Sequence, residues 1–398
     1  MVPSHQPRRV SVLTTGLARG GAETQVLMLA VGLQQRGWKV SVESLLPPQA
    51  FADELEHKGI PVISLGMHPG VPNPTAIYRL ARHWRTFRPH IVHSHMVHAN
   101  LLGRITRIFA PAPVLIGTAH SIWEGPKWRD WAYRFTDRLS DLTTNVSQAG
   151  LNRYLRNGLV RKPSAAWVPN GIDTARFAPD PEIRRRHRRQ AGWEEKFVWL
   201  AVGNLREPKD YPNLLAAFAA ARDEAPSLHL AIAGSGHLLG SLRAQAVQLG
   251  IMDRVEFLGA RTDVRELMQA ADAFVMSSAW EGMPMALLEA SASALPVVAT
   301  NVGGNAEVVE HARSGLLVPA HDSSALARAI ANLARQTPAA LRELGEAGRN
   351  RVQALYGIER VLDRWENIYE HLLQNNADGR VTRRGALATG RIALWRRN

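Results

Sequence analysis

The feature that most constrains this chain is a rhythm that starts twice. Short runs rich in β-branched residues alternate with longer amphipathic stretches. That is the pattern of βαβ units, in which each parallel strand needs a crossover helix to reach the next. The first series reads VSVLTT (10–15), KVSVESL (39–45), PVISL (61–65), HIVHSH (90–95), VLIGTAH (114–120) and LTTNVS (142–147). Between the first two lies ETQVLMLAVGLQQRG (23–37), where Val26, Leu29, Ala30 and Leu33 recur at helical spacing and Gly37 supplies a stop. The rhythm restarts at FVWLAVGN (197–204) and continues through LHLAIAG (228–234), RVEFLG (254–259), AFVMSS (273–278), PVVAT (296–300) and GLLVP (315–319). The arginine-rich stretch from Asn170 to Lys196 reads as the connection between two domains. The expected architecture is α/β, with doubly wound Rossmann-like domains over 1–175 and 176–357. A C-terminal helix over 358–375 is expected to pack back on the first domain, followed by a basic tail over 376–398.

Composition agrees with two cores. A chain of 398 residues, 45% apolar and 21% charged, is too long for one ordinary domain and too apolar for a disordered one. Its longest apolar stretches, such as 197–203, fall far short of the roughly 20 residues of a membrane span. The first ten residues contain no apolar segment of the secretory type. The absence of cysteine excludes disulfides and thiol chemistry, and it fits a cytoplasmic setting. The net charge of +13 points to an anionic partner, with nucleic acid, an anionic membrane face and phosphorylated small molecules all open. Five arginines and a histidine crowd into 184–189, and six arginines with no acid follow Asp378. A solvated helix face and an unstructured tail account for these two runs equally well.

Open parallel sheets bind ligands beyond the carboxyl ends of their strands, so chemistry belongs at the strand-to-helix turns. The strongest such turn is WEGMPMALLEA (280–290), which follows a strand and opens a helix at Pro284. Glu281 stands at its mouth, and Glu289 lies eight residues on, about two helical turns along the same side. The amide groups of a helix N-terminus between them suit phosphate or sugar oxygens, although a capping and a surface glutamate would look the same. GNLREPKDYPNLL (203–215) places Arg206 and Lys209 in a polar loop suited to a diphosphate. LARGGAETQ (17–25) carries a Gly-Gly turn that lets backbone approach a ligand closely, or is simply tight. His93, His95 and His120 cluster at two strand ends, but no carboxylate or cysteine completes a metal ligand set. AGSGHLLG (233–240) is a near match to a dinucleotide phosphate loop, with Asp253 or Glu256 beyond it, but its third glycine falls late.

The order of these segments resembles the retaining glycosyltransferases of GT-B fold in glycosyltransferase group 1, family 4. The matching segments are GGAET, VHSHMVHANLLGR (92–104), TAHS (118–121), VPNGIDTARF (168–177), VGNLREPKDYPNLL (202–215), AGSGHL (233–238), VEFLGARTDV (255–264) and the pair of glutamates at 281 and 289. The resemblance implies two Rossmann-like domains facing a cleft. It places Glu289 on the ribose hydroxyls, Glu281 near the donor sugar, and the backbone of Gly282, Met283, Pro284 and Met285 on sugar hydroxyls. Arg206 and Lys209 would grip the diphosphate, Gly21 would approach it, His120 would lie at the sugar, and the Gly259–Arg261 turn would meet the base. Gly236 and Asn204 complete the implied donor set. One position departs from the family: the residue after the strand-end glycine is ordinarily basic, and here it is Asn204. Arg206, two residues on, is the expected substitute.

The implied reaction moves a sugar from a nucleoside diphosphate donor to a glycan or polyprenyl-linked acceptor, in envelope or exopolysaccharide synthesis. A uridine diphosphate sugar is favoured over a guanosine one. No cofactor and no metal are expected, and the chain has no D-x-D motif. Glu281, His120, Lys209 and Arg206 are the catalytic candidates, with front-face attack favoured over a covalent carboxylate intermediate. The rival readings are a sugar-nucleotide-binding relative of low activity and a dinucleotide-dependent oxidoreductase. Nucleic acid is not expected, because the arginine runs accompany no recognition module. Peripheral attachment to an anionic membrane is expected through RLARHWRTFR (79–88) and RRGALATGRIALWRR (383–397).

Overall fold

The computed structural model describes residues 7–71, 73–222 and 227–378. The chain divides into two compact units: the described residues up to Gly171 together with those from Glu359 onward, and Ile172–Ile358.

The first unit holds strands β1 (Arg9–Thr14), β2 (Lys39–Ser44), β3 (Val62–Ser64), β4 (Ile91–His95), β5 (Val114–Ala119), β6 (Leu142–Asn145) and β7 (Ala165–Trp167). Its helices are α1 (Gly21–Gln35), α2 (Ala50–His57), α3 (Thr75–Phe87), α4 (Val97–Phe109), α5 (Lys127–Thr136) and α6 (Gln148–Arg156). The strands pair in parallel in the order β3-β2-β1-β4-β5-β6-β7. The central strands β4 and β5 are buried along their whole length, as a sheet covered on both faces requires. Leu13, Leu80, Trp84, Val92 and Leu115 share one core cluster.

The second unit holds α7 (Pro181–Ala191), β8 (Phe197–Val202), α8 (Tyr211–Ala221), β9 (Leu228–Ala233), α9 (Leu239–Gln248), β10 (Val255–Gly259), α10 (Val264–Ala270) and β11 (Ala273–Met276). It continues with α11 (Met285–Ala292), β12 (Val297–Thr300), α12 (Asn305–Val308), β13 (Leu316–Val318), α13 (Ser323–Ala334) and α14 (Pro338–Tyr356). Its strands pair in parallel in the order β10-β9-β8-β11-β12-β13. Leu214, Leu215 and Phe218 of α8 bury with Leu326, Ile330 and Leu333 of α13 in one cluster.

The last helix, α15 (Ile358–Ala377), packs on the first unit. Arg36 reaches Glu359, Asp363 and Glu366 on its near face at 2.6, 2.6 and 2.7 Å. The Trp38 indole N–H donates to Glu366 at 2.8 Å. Gly32 of α1 faces Leu362, and a Cβ there would lie 2.4 Å from a leucine methyl.

Two expectations change. The six strands expected in the first half become seven, because Ala165–Trp167 pairs at the sheet edge without any β-branched signal. The arginine-rich stretch is not a bare connection, because it contains α7, capped by the Asp180 carboxylate on the amides of Glu182 and Ile183. Arg184 and Arg188 both bind the Asp272 carboxylate, at 2.5 and 2.8 Å, and the closing carbonyls of α10. Two of the five arginines in the run therefore serve packing. Of the two runs expected at a membrane, 79–88 places Leu80, Ala81 and Trp84 in the core, and 383–397 lies outside the described residues. Among the described residues no helix is long and apolar enough to cross a membrane.

Candidate active site

In the second unit the chain runs outward from β8 to β9 and β10, then returns to place β11 on the other side of β8. The loops after β8 and β11 therefore leave neighbouring strands in opposite directions, the arrangement that opens a crevice in a doubly wound sheet. The two most strongly implicated sequence segments occupy these two loops.

They are laced together. The Lys209 ammonium lies 2.5 Å from the Glu281 carboxylate, and both side chains are largely buried. The Ser278 hydroxyl donates to the same carboxylate oxygen at 2.7 Å. Ser277 donates to the Lys209 carbonyl at 2.8 Å, and the Ala279 amide donates to the Pro208 carbonyl at 2.9 Å. Tyr211, buried at the start of α8, donates to the Gly203 carbonyl at 3.1 Å. Burial first, and then the Glu281 charge, hold its phenol far above the usual range.

Glu281 and Glu289 are not two turns of one helix. Pro284 is the N-cap of α11, so Glu281 belongs to the loop before it, and only Glu289 is helical. Pro284 supplies no side-chain cap to α11, and the helix dipole places positive charge at this turn. Glu289 is half-buried, and desolvation pushes its carboxyl up to about 7 against the opposing pull of Arg176. Gly282, Met283, Pro284 and Met285 are all buried at the turn between the two glutamates.

The loop after β12 supports this turn, and the sequence reading missed it. The Gly304 amide donates to the Gly282 carbonyl at 2.8 Å, and a Cβ on Gly304 would lie 2.4 Å from that oxygen. Thr300 donates to the Ser278 carbonyl at 2.6 Å, and the Asn305 amide donates to the Thr300 carbonyl at 2.9 Å. The signal was present as VGGN (302–305) directly after a strand.

The remaining donor candidates spread along the same sheet edge. Arg206 is exposed, and its guanidinium makes no hydrogen bond or salt bridge among the described residues. Asn204 is also exposed. Gly236 and Gly234 are close-approach positions: a Cβ on Gly236 would lie 2.2 Å from the Leu205 carbonyl oxygen, and one on Gly234 1.9 Å from that of Gly203. The loop that resembled a dinucleotide clasp is thus packed against the loop after β8. Glu256, one of the acids that reading needed, is held by Trp193 at 3.1 Å and His229 at 3.3 Å. Arg261 closes on Asp263 at 2.5 Å.

In the first unit the order reverses between β1 and β4, so the Gly20–Gly21 turn and the ends of β4 and β5 fall at the corresponding edge. Gly21 opens α1, which no side chain caps. His95 Nδ1 lies 3.0 Å from His120 Nε2, and His93 bridges the Tyr369 hydroxyl and Thr118, each at 2.7 Å. Burial holds His93 at about 3 and His120 at about 4, so both rings are neutral near neutral pH. His120 Nδ1 is buried without a hydrogen-bond partner among the described residues, an orphan that folded proteins ordinarily satisfy. Among the described residues no group of three His, Asp or Glu is arranged to hold a metal ion.

Comparison with known proteins gives the class. Residues 19–176 match the model of glycosyltransferase family 4, and residues 183–351 match that of glycosyl transferases group 1. The chain belongs to this glycosyltransferase family, and its two parallel-sheet units are those of the GT-B fold. It is 30% identical over 332 residues to EpsD of Bacillus subtilis, a candidate glycosyltransferase, covering 79% of this chain and 85% of the relative. It is 25% identical over 296 residues to the Escherichia coli UDP-Gal:alpha-D-GlcNAc-diphosphoundecaprenol alpha-1,3-galactosyltransferase, covering 72% and 76%. Among solved structures it is similar to Anabaena HepE in complex with UDP and glucose, with a TM-score of 0.83 at 21% identity over 92% of this chain and all of that one.

Proposed function

We propose that this glycosyltransferase moves a sugar from a nucleoside diphosphate donor to a glycan or lipid-linked acceptor, with retention and without a metal. The observation that carries this reading is the Lys209–Glu281 pair at the β8/β11 reversal, in the turn that leads into the N-terminus of α11. Leaving-group departure puts negative charge on the β-phosphate, and a preorganised ammonium with helix amides stabilises that charge where it develops. Lys209 is already fixed, so no reorganisation is needed when the bond breaks. Glu281, held by Lys209 and Ser278, is oriented as a hydrogen-bond acceptor for a sugar hydroxyl rather than as an attacking group. The acceptor oxygen attacks on the face the diphosphate leaves, and the departing phosphate oxygen takes its proton.

Glu289 carries the ribose assignment. Its carboxyl sits in a desolvated place that hydroxyl donors would relieve. The assignments of Gly21, His120, Asn204, Arg206, Gly236 and Arg261 rest on the family resemblance and the strand-end positions described above. A uridine diphosphate sugar is the favoured donor, as in the names of the galactosyltransferase and the HepE complex.

The test is a screen of UDP- and GDP-sugars for hydrolysis and for transfer to membrane lipid extract, with product anomers read by NMR. Inverted product, turnover abolished by chelator, or tighter binding of NAD than of any sugar nucleotide would each overturn a stated part of this reading.

A further inference from the structure

The second unit carries a pocket that glycosyl transfer does not explain. It encloses about 700 Å³, a volume within the range of about 300–1,000 Å³ usual for small-molecule sites. Asp272 and Pro296, which lead into β11 and β12, line it, so it sits at the amino-terminal ends of those strands. Lys209 and Glu281 follow the carboxyl ends, where open parallel sheets ordinarily bind ligands. The pocket is therefore not the donor crevice. Its walls come from α7, α10, α14 and the turn between α11 and β12, with apolar surface from Met268, Leu295 and Leu341.

Its polar groups ask for an anion. Ser293 lines the pocket at 6% exposure, and its hydroxyl is buried with no hydrogen-bond partner among the described residues. Such a group ordinarily finds a partner. Arg349 donates to the Ala292 carbonyl, and burial lowers its guanidinium below the usual arginine range with no carboxylate to offset it. Arg342 stands two turns earlier on the same side of α14, exposed and without a hydrogen bond or salt bridge among the described residues. Glu346 lies between them and answers only one of the two charges. The other acids are committed: Arg184, Arg188 and the Val198 amide hold Asp272, and Asp180 caps α7. The carbonyls that end α10 and α11 would attract a cation, but Arg184, Arg188 and Arg349 already cover them.

We propose that this pocket is a second ligand site for an organic anion, and that its occupancy is felt at Glu289 through α11. A phosphate or carboxylate head meets Arg342, Arg349 and the Ser293 hydroxyl, while an apolar body lies against Met268, Leu295 and Leu341. Guanidinium groups suit either head, because each can offer two parallel N–H donors. The route to Glu289 is short. The Ser293 amide donates to the Glu289 carbonyl at 3.0 Å, so the pocket floor and the ribose candidate share one helical turn. Ala294 holds a left-handed backbone at φ 57°, and a Cβ on Gly345 of α14 would lie 2.0 Å from the Ala294 carbonyl oxygen. With α14 seated so closely on this turn, a ligand between them bears on α11. Only an effect on donor affinity rests on the reading of Glu289 as the ribose ligand; binding in the pocket does not.

The experiment is calorimetry of the full chain with phenyl phosphate, benzoate, inorganic phosphate and benzylamine, joined to hydrogen exchange. We expect phenyl phosphate or benzoate to bind, whichever carries the preferred head, more tightly than inorganic phosphate, which lacks the apolar body. Benzylamine should not bind. Arg349→Gln and the exposed Arg342→Gln should each weaken the organic anion by about tenfold or more, as expected for loss of a charged hydrogen bond. Ser293→Ala should weaken it while leaving Tm unchanged or raised, because it removes a buried unpaired hydroxyl. Lys209→Ala should bind the probe like the parent. The bound anion should slow amide exchange across 285–295 and change nucleoside diphosphate affinity by the same factor as the nucleotide changes its own. No saturable binding of either organic anion would overturn the proposal, as would tighter binding of benzylamine. So would binding that survives Arg342→Gln and Arg349→Gln but is lost in Lys209→Ala, which would put the probe in the donor crevice. Unchanged exchange across 285–295 would overturn the coupling. Failure of any nucleoside diphosphate to bind, with the anion still bound, would refute the proposed reaction and leave the pocket assignment standing.

Discussion

Lys209 and Glu281 are separated by 72 positions in the chain, yet their charged atoms lie 2.5 Å apart. The cause is topological: β8 and β11 are neighbours in the sheet although β9 and β10 intervene in sequence. A lysine read as a phosphate ligand and a glutamate read as a sugar ligand are therefore one ion pair, further fixed by Ser278.

The first prediction follows from that pair. Lys209→Ala should lower kcat and donor affinity together, by about 100-fold or more in kcat if it resembles loss of one preorganised donor. Glu281→Gln keeps a hydrogen-bonding group for Ser278 and Lys209 but removes the charge, and it should lower kcat more than it raises KM. Addition of chelator should change neither rate. A purely structural pair would show instead as a lower Tm with an unchanged rate per folded molecule.

Glu289 sets a pH dependence. Its carboxyl is raised to about 7 by desolvation in the free protein. Hydrogen bonds donated by ribose hydroxyls favour the charged form and lower that value in the complex. Binding should then release protons near neutral pH, and donor affinity should rise as pH increases through about 7, then level off. Calorimetry of nucleoside diphosphate binding in buffers of different ionisation enthalpy measures the protons directly. Glu289→Gln should abolish the slope, and Glu289→Ala should cost on the order of 1.5–3 kcal/mol per charged hydrogen bond lost. An affinity that is flat with pH in the parent enzyme would remove Glu289 from the ribose.

Buried Glu124 makes a separate statement about stability. It accepts from the Tyr154 hydroxyl at 2.8 Å, and burial, only partly offset by that bond and nearby arginines, pushes it up to about 7. A carboxyl raised on folding binds its proton more tightly in the native state. Its contribution is complete below the ordinary glutamate range and is lost as pH rises through about 7. Each unit of the shift corresponds to roughly 1.4 kcal/mol. Glu124→Gln should therefore flatten the fall in Tm on going from mildly acidic to neutral pH. A steeper fall in the variant would show that Glu124 is charged in the folded protein at neutral pH.

Arg206 and Asn204 test how the diphosphate is gripped. Arg206 is exposed with an uncommitted guanidinium, able to reach two phosphate oxygens at once. Arg206→Ala should weaken donor binding and slow turnover, whereas Asn204→Ala should be mild. The reverse order would mean that the Asn204 amide itself contacts the donor and that no substitute cation is used.

Gly304→Ala tests the support beneath the Glu281–Pro284 turn. The added methyl would meet the Gly282 carbonyl at 2.4 Å, against backbone that has no side chain to move aside. Overpacking of this kind costs about 1–3 kcal/mol. Donor affinity should fall along with Tm, whereas Gly240→Ala, with open space around it, should leave both near the parent values.

Much of the fold was legible because a buried parallel strand must be apolar along its length, and a strand-end turn must be polar or glycine-rich. Both leave marks in a linear text, and twelve of the strands were read from them. Strand β7 left no mark, since three residues at a sheet edge need only pair their backbone. Arginines 184 and 188 looked like solvent-facing charge because their partner, Asp272, lies 84 or more positions away.

The sequence by itself determined which residues stand at or just beyond strand ends, and so which can meet a ligand: Lys209, Glu281 and His120 with the glycines near them, and Glu289 in the helix that follows the Glu281 turn. Tertiary structure alone decided how those residues are used. Strand order, which no local pattern encodes, joined Lys209 to Glu281 and stacked the Gly304 loop under the Gly282 turn. Burial, a property of the whole packed unit, raised Glu289 and kept His120 neutral. The same packing turned α5 so that its tryptophans face outward, because Tyr133 on its other side fills the core. Local sequence specifies periodicity; the partner each side chain meets depends on contacts made across long stretches of chain.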